Sequence, residues 1–460
     1  MQRESVEVPL LHEDLEAGAA SPPRRHHQDG PLRFTTALKT TLRRNKLVAT
    51  LIVFALVVVS LPALSPGAET PEALWFRTNT LLTAEERLMA FQLEYDPKQE
   101  GFGVGNVNLE AYRAEMLAAL DDLLGESSAK GSQEVDVLDG NKPADNKALK
   151  EATSCFLDLT CSGHAAVPNE LFATDRVVSP VPSPLSSWFD LNPSMRNIAM
   201  NDTDISTWLS SRFANSAVPA LYDSLPLPIL HYDLIRLLVL LTRGGYYTDT
   251  DTLALRRVDT WARGAADLSD PVLAPNAATR PPSLVVGIEW TGHTETNKLN
   301  PLFTRSTGMV QWAFGAAPGH PVIVDAARRV VRNSRRVAAM RAGGDDAKFA
   351  KDGRGPLHFD PEADRMVLEW SGPAVFTDAV ARYLRTRYGL SLTSLSHFSH
   401  PIRIGDVLLL PIASLNARTS VPLKVLDWAL GRGWAPWRTE NDLVVHLHKA
   451  TWWKQKVSRQ

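Results

Sequence analysis

Asp249 and Asp251, one residue apart and set among Thr248, Thr250 and Thr252, are the side chains of this sequence best suited to hold a divalent metal. Oxygen ligands favour magnesium or manganese, hard ions that keep open positions for substrate phosphates. The chemistry such a pair serves is the neutralisation of a departing diphosphate. Spacing alone is weak support. Pairs of this kind arise by chance in a chain of 460 residues, and Asp202-Thr203-Asp204 repeats the pattern. Context separates the two. Asp202 and Asp204 follow Asn201 in a polar stretch with no apolar strand before it, and read as part of a surface loop.

The elements that must position Asp249 and Asp251 lie just upstream. Ile229 to Arg243 reads as an amphipathic helix, Gly244 as its left-handed C′ stop, and Tyr246 to Thr248 as a short strand. Asp233 and Arg236 are three apart and share one helix face. Further along, Trp208 to Phe213 reads as helix, and Ser283 to Ile288 and Asp406 to Pro411 as strands. Such alternation from Val167 onward predicts an α/β sheet with helices on both sides. In sheets of that type ligands gather at the carboxyl ends of strands, where the Asp249/Asp251 pair sits.

The chain is 44% hydrophobic and 22% charged, enough for one large globular domain plus appendages. A formal net charge of −2 gives no indication of nucleic-acid binding. Leu47 to Leu64 is an uncharged run near the minimum length of a membrane span, with Arg33, Lys39, Arg43, Arg44 and Lys46 on its N-terminal side. The positive-inside rule then puts the N-terminus in the cytosol and the bulk of the chain in a lumen. A buried core helix or a signal peptide are the alternatives. The expected organisation is a disordered cytosolic tail over 1–46, a signal-anchor helix over 47–64, a lumenal stem and linker over 65–165, and a catalytic domain over 166–460. A short span suits the thin early-secretory bilayer, which predicts a type II protein of the Golgi membrane.

Within the stem, Leu109, Tyr112, Met116, Leu120 and Leu123 recur at helical spacing, so this helix should pack on something. Ser127 to Glu151 reads as a flexible linker. Cys155 and Cys161 would form a disulfide in a lumenal compartment, with two buried thiols as the alternative. Asn201-Asp202-Thr203 is a glycosylation sequon if it is lumenal.

The stretch Leu221 to Trp261 (LYDSLPLPILHYDLIRLLVLLTRGGYYTDTDTLALRRVDTW) resembles the fungal initiation-specific α-1,6-mannosyltransferases and their relatives in glycosyltransferase family 32. Ser187-Trp188 with Asn192-Pro193, VVGIE (Val285 to Glu289), QWAFGAAPGHP (Gln311 to Pro321), WSGPAVFTDAV (Trp370 to Val380), IGDVLLLPI (Ile404 to Ile412) and HLHKATWWK (His446 to Lys454) follow in the family's order. The resemblance implies a GT-A fold, a nucleotide-sugar donor (most often GDP-mannose), Mn²⁺ or Mg²⁺, and transfer with retention to a glycan or glycoprotein acceptor. Carried over residue by residue, Asp233 would contact the donor's sugar or ribose, and Arg236 would steady that helix face or the donor. Tyr247 and Asp249 would lie on the ribose and sugar side, with Asp251 the more direct metal ligand. Asp233, Asp251 and Glu289 are the candidate catalytic carboxylates, although Glu289 could equally be structural. His446 completes the metal set or is a strand histidine, and His448 is a weaker candidate. His320 is expected to hold a turn. Trp188, Trp312 and Trp370 are expected to pack rather than stack on sugars. No dedicated nucleophile stands out, which favours a front-face displacement.

Three departures touch the resemblance. Glu170 to Trp188 lacks the Ile-His/Trp-Gln strand motif that floors the family's nucleotide site. His231 and Tyr232 stand where Arg or Lys and a small residue usually precede the family aspartate, and Leu237 replaces a common Tyr. The alternatives kept open are another donor such as a UDP-sugar, a sphingolipid acceptor, and a non-catalytic subunit of a mannan-synthesising complex. A hydrolase would need two facing carboxylates at a set separation, which sequence spacing cannot supply.

Overall fold

The computed structural model describes residues 108–125, 145–161, 163–270, 273–274, 279–291, 305, 307–342, 364–392, 395, 398–415 and 442–447. The chain divides into two units, Met1–Pro66 and Gly67–Gln460, and every described residue belongs to the second. The apolar run Leu47 to Leu64, the tail before it and His448 lie outside the described residues. Among those residues no helix is long and apolar enough to cross a membrane.

In chain order the main elements are α1 (Leu109–Leu124), α2 (Asn146–Phe156), β1 (Glu170–Thr174), α3 (Ser183–Leu191), β2 (Arg196–Met200), α4 (Asp202–Arg212), α5 (Val218–Ser224), α6 (Pro228–Arg243), β3 (Gly245–Thr248), β4 (Thr252–Ala254) and β5 (Ala266–Asp267). They continue with β6 (Leu284–Thr291), β7 (Thr307–Met309), β8 (Ala313–Ala316), α7 (Pro321–Ala342), α8 (Asp364–Trp370), α9 (Pro373–Tyr388), β9 (Ile402–Ile404), β10 (Val407–Leu410), α10 (Ile412–Leu415) and β11 (Val444–His446). The strands form a mixed sheet in the order β2-β1-β3-β8-β6-β10-β9-β5, with β7 on β6, and β4 pairs separately with β11. β1 is parallel to both β2 and β3, and β6 is parallel to β10, while β8 runs antiparallel between β3 and β6.

Period-2 alternation builds a core on each face of this sheet. In β6, Leu284, Val286 and Ile288 join one apolar cluster and Val285 the other; in β10, Val407 and Leu409 oppose Leu408 and Leu410. A strand buried on both faces reads as a continuous apolar run, which is why VVGI and VLLL stand out in the sequence. The departing segment ELFAT is nevertheless strand β1, buried along its whole length. What differs there is the side chains, not the strand.

Helix α6 is buried almost all round rather than along one stripe, a difference from the amphipathic expectation. It can carry Asp233, Arg236 and Arg243 because each charge is paired: Arg236 with Asp233 at 3.1 Å and Arg243 with Glu170 at 3.4 Å. Gly244 ends it at φ 69° and ψ −166°, an extended glycine conformation rather than a left-handed helical one. A Cβ there would lie 2.6 Å from Pro318 Cδ and 2.8 Å from Pro168 Cδ. Gly244→Ala is therefore expected to destabilise by about 1–3 kcal/mol from backbone strain alone. A denaturant titration that left the midpoint unchanged would refute this.

Helix α1, expected to belong to a stem, packs into the same core. Tyr112, Met116, Leu120 and Leu123 are buried with α6, α7 and α9 side chains, and Glu115 pairs with Arg328 and Arg382. Cys155 and Cys161 are joined in a disulfide. The Asp202/Asp204 pair is not in a loop. Asn201 caps α4, accepting from the Thr203 and Asp204 amides, and Asp204 returns the bond to the Asn201 amide at 3.0 Å. That is a capping box, which accounts for Asp204, while Asp202 accepts from the Tyr232 hydroxyl at 2.8 Å.

Candidate metal and donor site

The β3 strand delivers Asp249 to the sheet's edge, where its amide donates to the Trp312 carbonyl at 2.8 Å. The chain then turns tightly. Thr252 donates to the Asp249 carbonyl from Oγ1 at 2.7 Å, and Thr248 Oγ1 lies 2.6 Å from Thr252 Oγ1. Trp188 Nε1 donates to the same Thr252 hydroxyl at 3.0 Å, and Thr250 Oγ1 donates to Asp175 Oδ2 at 2.6 Å. The threonines around the aspartates thus hold the turn. β4 then pairs with β11, putting His446 opposite Thr252, and the Leu447 amide donates to the Asp251 carbonyl at 2.9 Å.

The consequence is a cluster that sequence distance hides. Ligand atoms of Asp249, Asp251 and His446 all lie within 4.8 Å of one another, with His446 Nε2 3.3 Å from Asp251 Oδ1. Two carboxylates and an imidazole, partly exposed, fit a divalent ion that keeps positions for other ligands. The other metal-like group, Cys155, Cys161 and His164, has both sulfurs spent in the disulfide.

Behind the cluster, Arg236 reaches Asp249 Oδ1 at 3.2 Å and Asp233 Oδ1 at 3.1 Å, and donates to the Gln311 carbonyl at 3.2 Å. Burial opposes its charge, but Asp249 and Asp233 hold it ionised. Asp233 is only 3% exposed and accepts from Ser371 Oγ at 2.6 Å. Burial lifts its carboxyl to about 6, against the pull of Arg236 and Ser371. Burial likewise raises Asp249, with Arg236 and His446 opposing. Tyr247 is 1% exposed, lies 5.1 Å beneath the Arg236 guanidinium and bonds Thr174 at 2.8 Å, so it supports Arg236 from below.

Glu289, at the carboxyl end of β6, is reached from Trp312. Its Oε1 accepts from Trp312 Nε1 at 3.3 Å, and burial pushes its carboxyl up to about 7. Trp312 is thus more than packing, because its ring also lies 4.5 Å from that of His446. Trp188 and Trp370 are core residues, as expected. His320 does more than hold a turn: its Nδ1 accepts from the Val322 amide at the start of α7, and its Nε2 lies 2.9 Å from Asp406. The site residues with no signal of their own in the sequence are Asp175, Gln311 and Ser371. Gln311 and Ser371 fall inside QWAF and WSGPAVF, which was the available hint.

Comparisons with known proteins find relatives over this part of the chain. A family model described as a glycosyltransferase sugar-binding region containing the DXD motif matches residues 183–266. That stretch holds both aspartate pairs, and the fold distinguishes them. The chain is 29% identical over 259 residues to an initiation-specific alpha-1,6-mannosyltransferase of Schizosaccharomyces pombe, covering 55% of this chain and 58% of that protein. It is 25% identical over 247 residues to the protein so named in Candida albicans, covering 50% and 58%. The protein so named in Saccharomyces cerevisiae is 23% identical over 234 residues, covering 42% and 48%. The chain thus spans about half the length of these relatives.

Proposed function

With residues 183–266 carrying a DXD-containing glycosyltransferase region, we propose that this chain transfers mannose from GDP-mannose to a glycan acceptor with retention, in a reaction dependent on Mn²⁺ or Mg²⁺. The observation that carries the reading is the convergence of Asp249, Asp251 and His446 beside the buried Asp233–Arg236 pair. A divalent ion bound there would stabilise the charge of the leaving diphosphate. The remaining work falls to the chain itself. Asp233 and Ser371 fix the Arg236 guanidinium, which aligns Asp249. Trp312 sets the His446 ring and the Glu289 carboxyl together.

Glu289, poised near 7, can hold or release a proton on the sugar side of the site, and the acceptor hydroxyl attacks on the face the diphosphate leaves. The sign follows from its environment. Burial favours the neutral acid, so Glu289 gains a proton as pH falls through about 7. Glu289→Gln is expected to remove one ionisation near 7 from the pH profile of kcat/KM. A profile identical to that of the parent would assign Glu289 a packing role.

The anchor proposal is a signal-anchor helix over 47–64 with the catalytic part in the Golgi lumen. The Cys155–Cys161 disulfide supports it, since disulfides persist in oxidising compartments. The full-length protein, given GDP-mannose, UDP-glucose or UDP-galactose with and without Mn²⁺, tests the donor. Manganese-dependent release of GDP supports the proposal. A protein that binds no donor would instead serve as a subunit of a larger assembly, with the altered side chains of β1 as the reason.

A further inference from the structure

A second cleft lies at the opposite edge of the sheet from the aspartates. The strand register places it there: Gly245, Ala316, Leu284 and Val407 form one row across β3, β8, β6 and β10, whereas Thr248 pairs with Ala313 near Asp249. Ser283, Gly405 and Asp406, which line the cleft, precede β6 and β10 at that far row. Three strand spacings alone separate β10 from β3, about 14 Å.

The cleft encloses about 510 Å³ including its open mouth, and three arginines line it: Arg280, Arg387 and Arg403. Arg387 and Arg403 are only 3% and 7% exposed. Arg387 donates to the carbonyls of Phe156 and Leu273, and Arg403 to those of Gly405 and Pro281. Neutral carbonyls orient a guanidinium without cancelling its charge. No carboxylate lies within ion-pair distance of these three arginines among the described residues, and Arg280 makes no hydrogen bond among them. Asp406 also lines the cleft; burial opposes its charge, but His320 and Tyr388 hold it ionised, and together with Asp267 it offsets part of the charge of Arg403. Oδ1 accepts from Tyr383 at 3.0 Å and Tyr388 at 2.5 Å, and Oδ2 lies 2.9 Å from His320 Nε2. The lining thus sets three guanidinium groups against one carboxylate, an excess of positive charge that an entering anion would balance. His164, in the same wall, is kept below its usual range by burial and offers a neutral polar group.

We propose that this cleft binds a small tetrahedral oxyanion, phosphate or sulfate, either free or carried as an ester on a sugar. Arginine forks match such oxygens in pairs, and no metal is needed to hold them. The site is independent of the donor site.

The experiment uses the full-length protein in the presence of a chelator, at ionic strength held constant with sodium chloride. Inorganic phosphate and mannose 6-phosphate are titrated separately by calorimetry. Phosphate binding that weakens about tenfold in Arg280→Gln, and is unchanged in Asp251→Ala, is the expected result. Arg280 holds no internal partner among the described residues, so the variant's unliganded Tm should match the parent's. Tighter binding of the sugar phosphate would identify an ester as the ligand, and equal or weaker binding the free ion. Phosphate that does no more than chloride overturns the proposal. So does binding kept in Arg280→Gln but lost in Asp251→Ala, which would move the anion to the donor site.

Discussion

Asp251→Ala is expected to lower kcat/KM by about 10³-fold while moving Tm by no more than a few degrees. The carboxylate stands 20% exposed, 3.3 Å from His446, and its backbone carbonyl rather than its side chain holds the turn to Leu447. Removing it takes one of three clustered carboxylate and imidazole groups that could hold the ion, without opening a core cavity. A Lewis-acid ion contributes several kcal/mol to stabilising a leaving group, and each ~1.4 kcal/mol is a factor of ten in rate. Asp204→Ala is the matched control. It should cost about 1 kcal/mol of stability through the lost capping box and leave turnover intact. Steady-state kinetics with a manganese titration on both variants checks the pair. If Asp251→Ala turns over normally, the metal cluster is not the reacting centre.

Asp325→Asn should be the most destabilising single change in the helical layer, by roughly 3–5 kcal/mol. Asp325 is fully buried in α7 and accepts from Arg328 Nη2 at 2.5 Å and Arg329 Nε at 3.1 Å, with Arg382 Nη1 at 3.5 Å. Glu115 of α1 shares Arg328 and Arg382, so the same charges tie α1 to α7 and α9. Burial pushes the Asp325 carboxyl up, but the guanidinium groups of Arg329, Arg328 and Arg382 outweigh it and hold the carboxyl well below the usual carboxylate range. A depressed folded-state pKa gives stability that is complete above the unfolded value of about 3.9 and drains away as pH falls below it. The parent should therefore lose stability steeply below about pH 4, and the asparagine variant less steeply from a lower plateau. Urea midpoints measured from neutral pH into the acid range read both effects. Equal midpoints at neutral pH would show that the arginines find other partners.

Much of the catalytic layer was legible because it is coded locally. The α6–Gly244–β3 succession needs only helix periodicity, a glycine stop and an aromatic strand, all within one short window. The Asp233–Arg236 pair follows from a spacing of three residues. The apolar runs of β6 and β10 were visible because both faces of each strand are buried. Two of the local expectations that failed did so for one reason. The polar stretch after Asn201 is a helix start, and α6 is enclosed on nearly all sides. Capping bonds and neighbouring helices decide these outcomes, and composition does not report them.

By itself, then, the sequence determined the α/β class, the helix-stop-strand unit and the two carboxylates at its end, since each depends on residues a few positions apart. Only the tertiary structure brought one aspartate pair, and not the other, together with a third ligand-type side chain. Asp249 and Asp251 meet His446 because β11 returns almost two hundred residues later to pair with β4, whereas Asp204 closes the capping box of its own helix and Asp202 accepts from the Tyr232 hydroxyl. It also decided that Trp312 joins His446 to Glu289, that Ser371 and Gln311 stand behind Arg236, and that three arginines share a cleft at the far edge of the sheet. Those arrangements rest on strand register and long-range packing, which place side chains by where the chain returns rather than by what stands next to them.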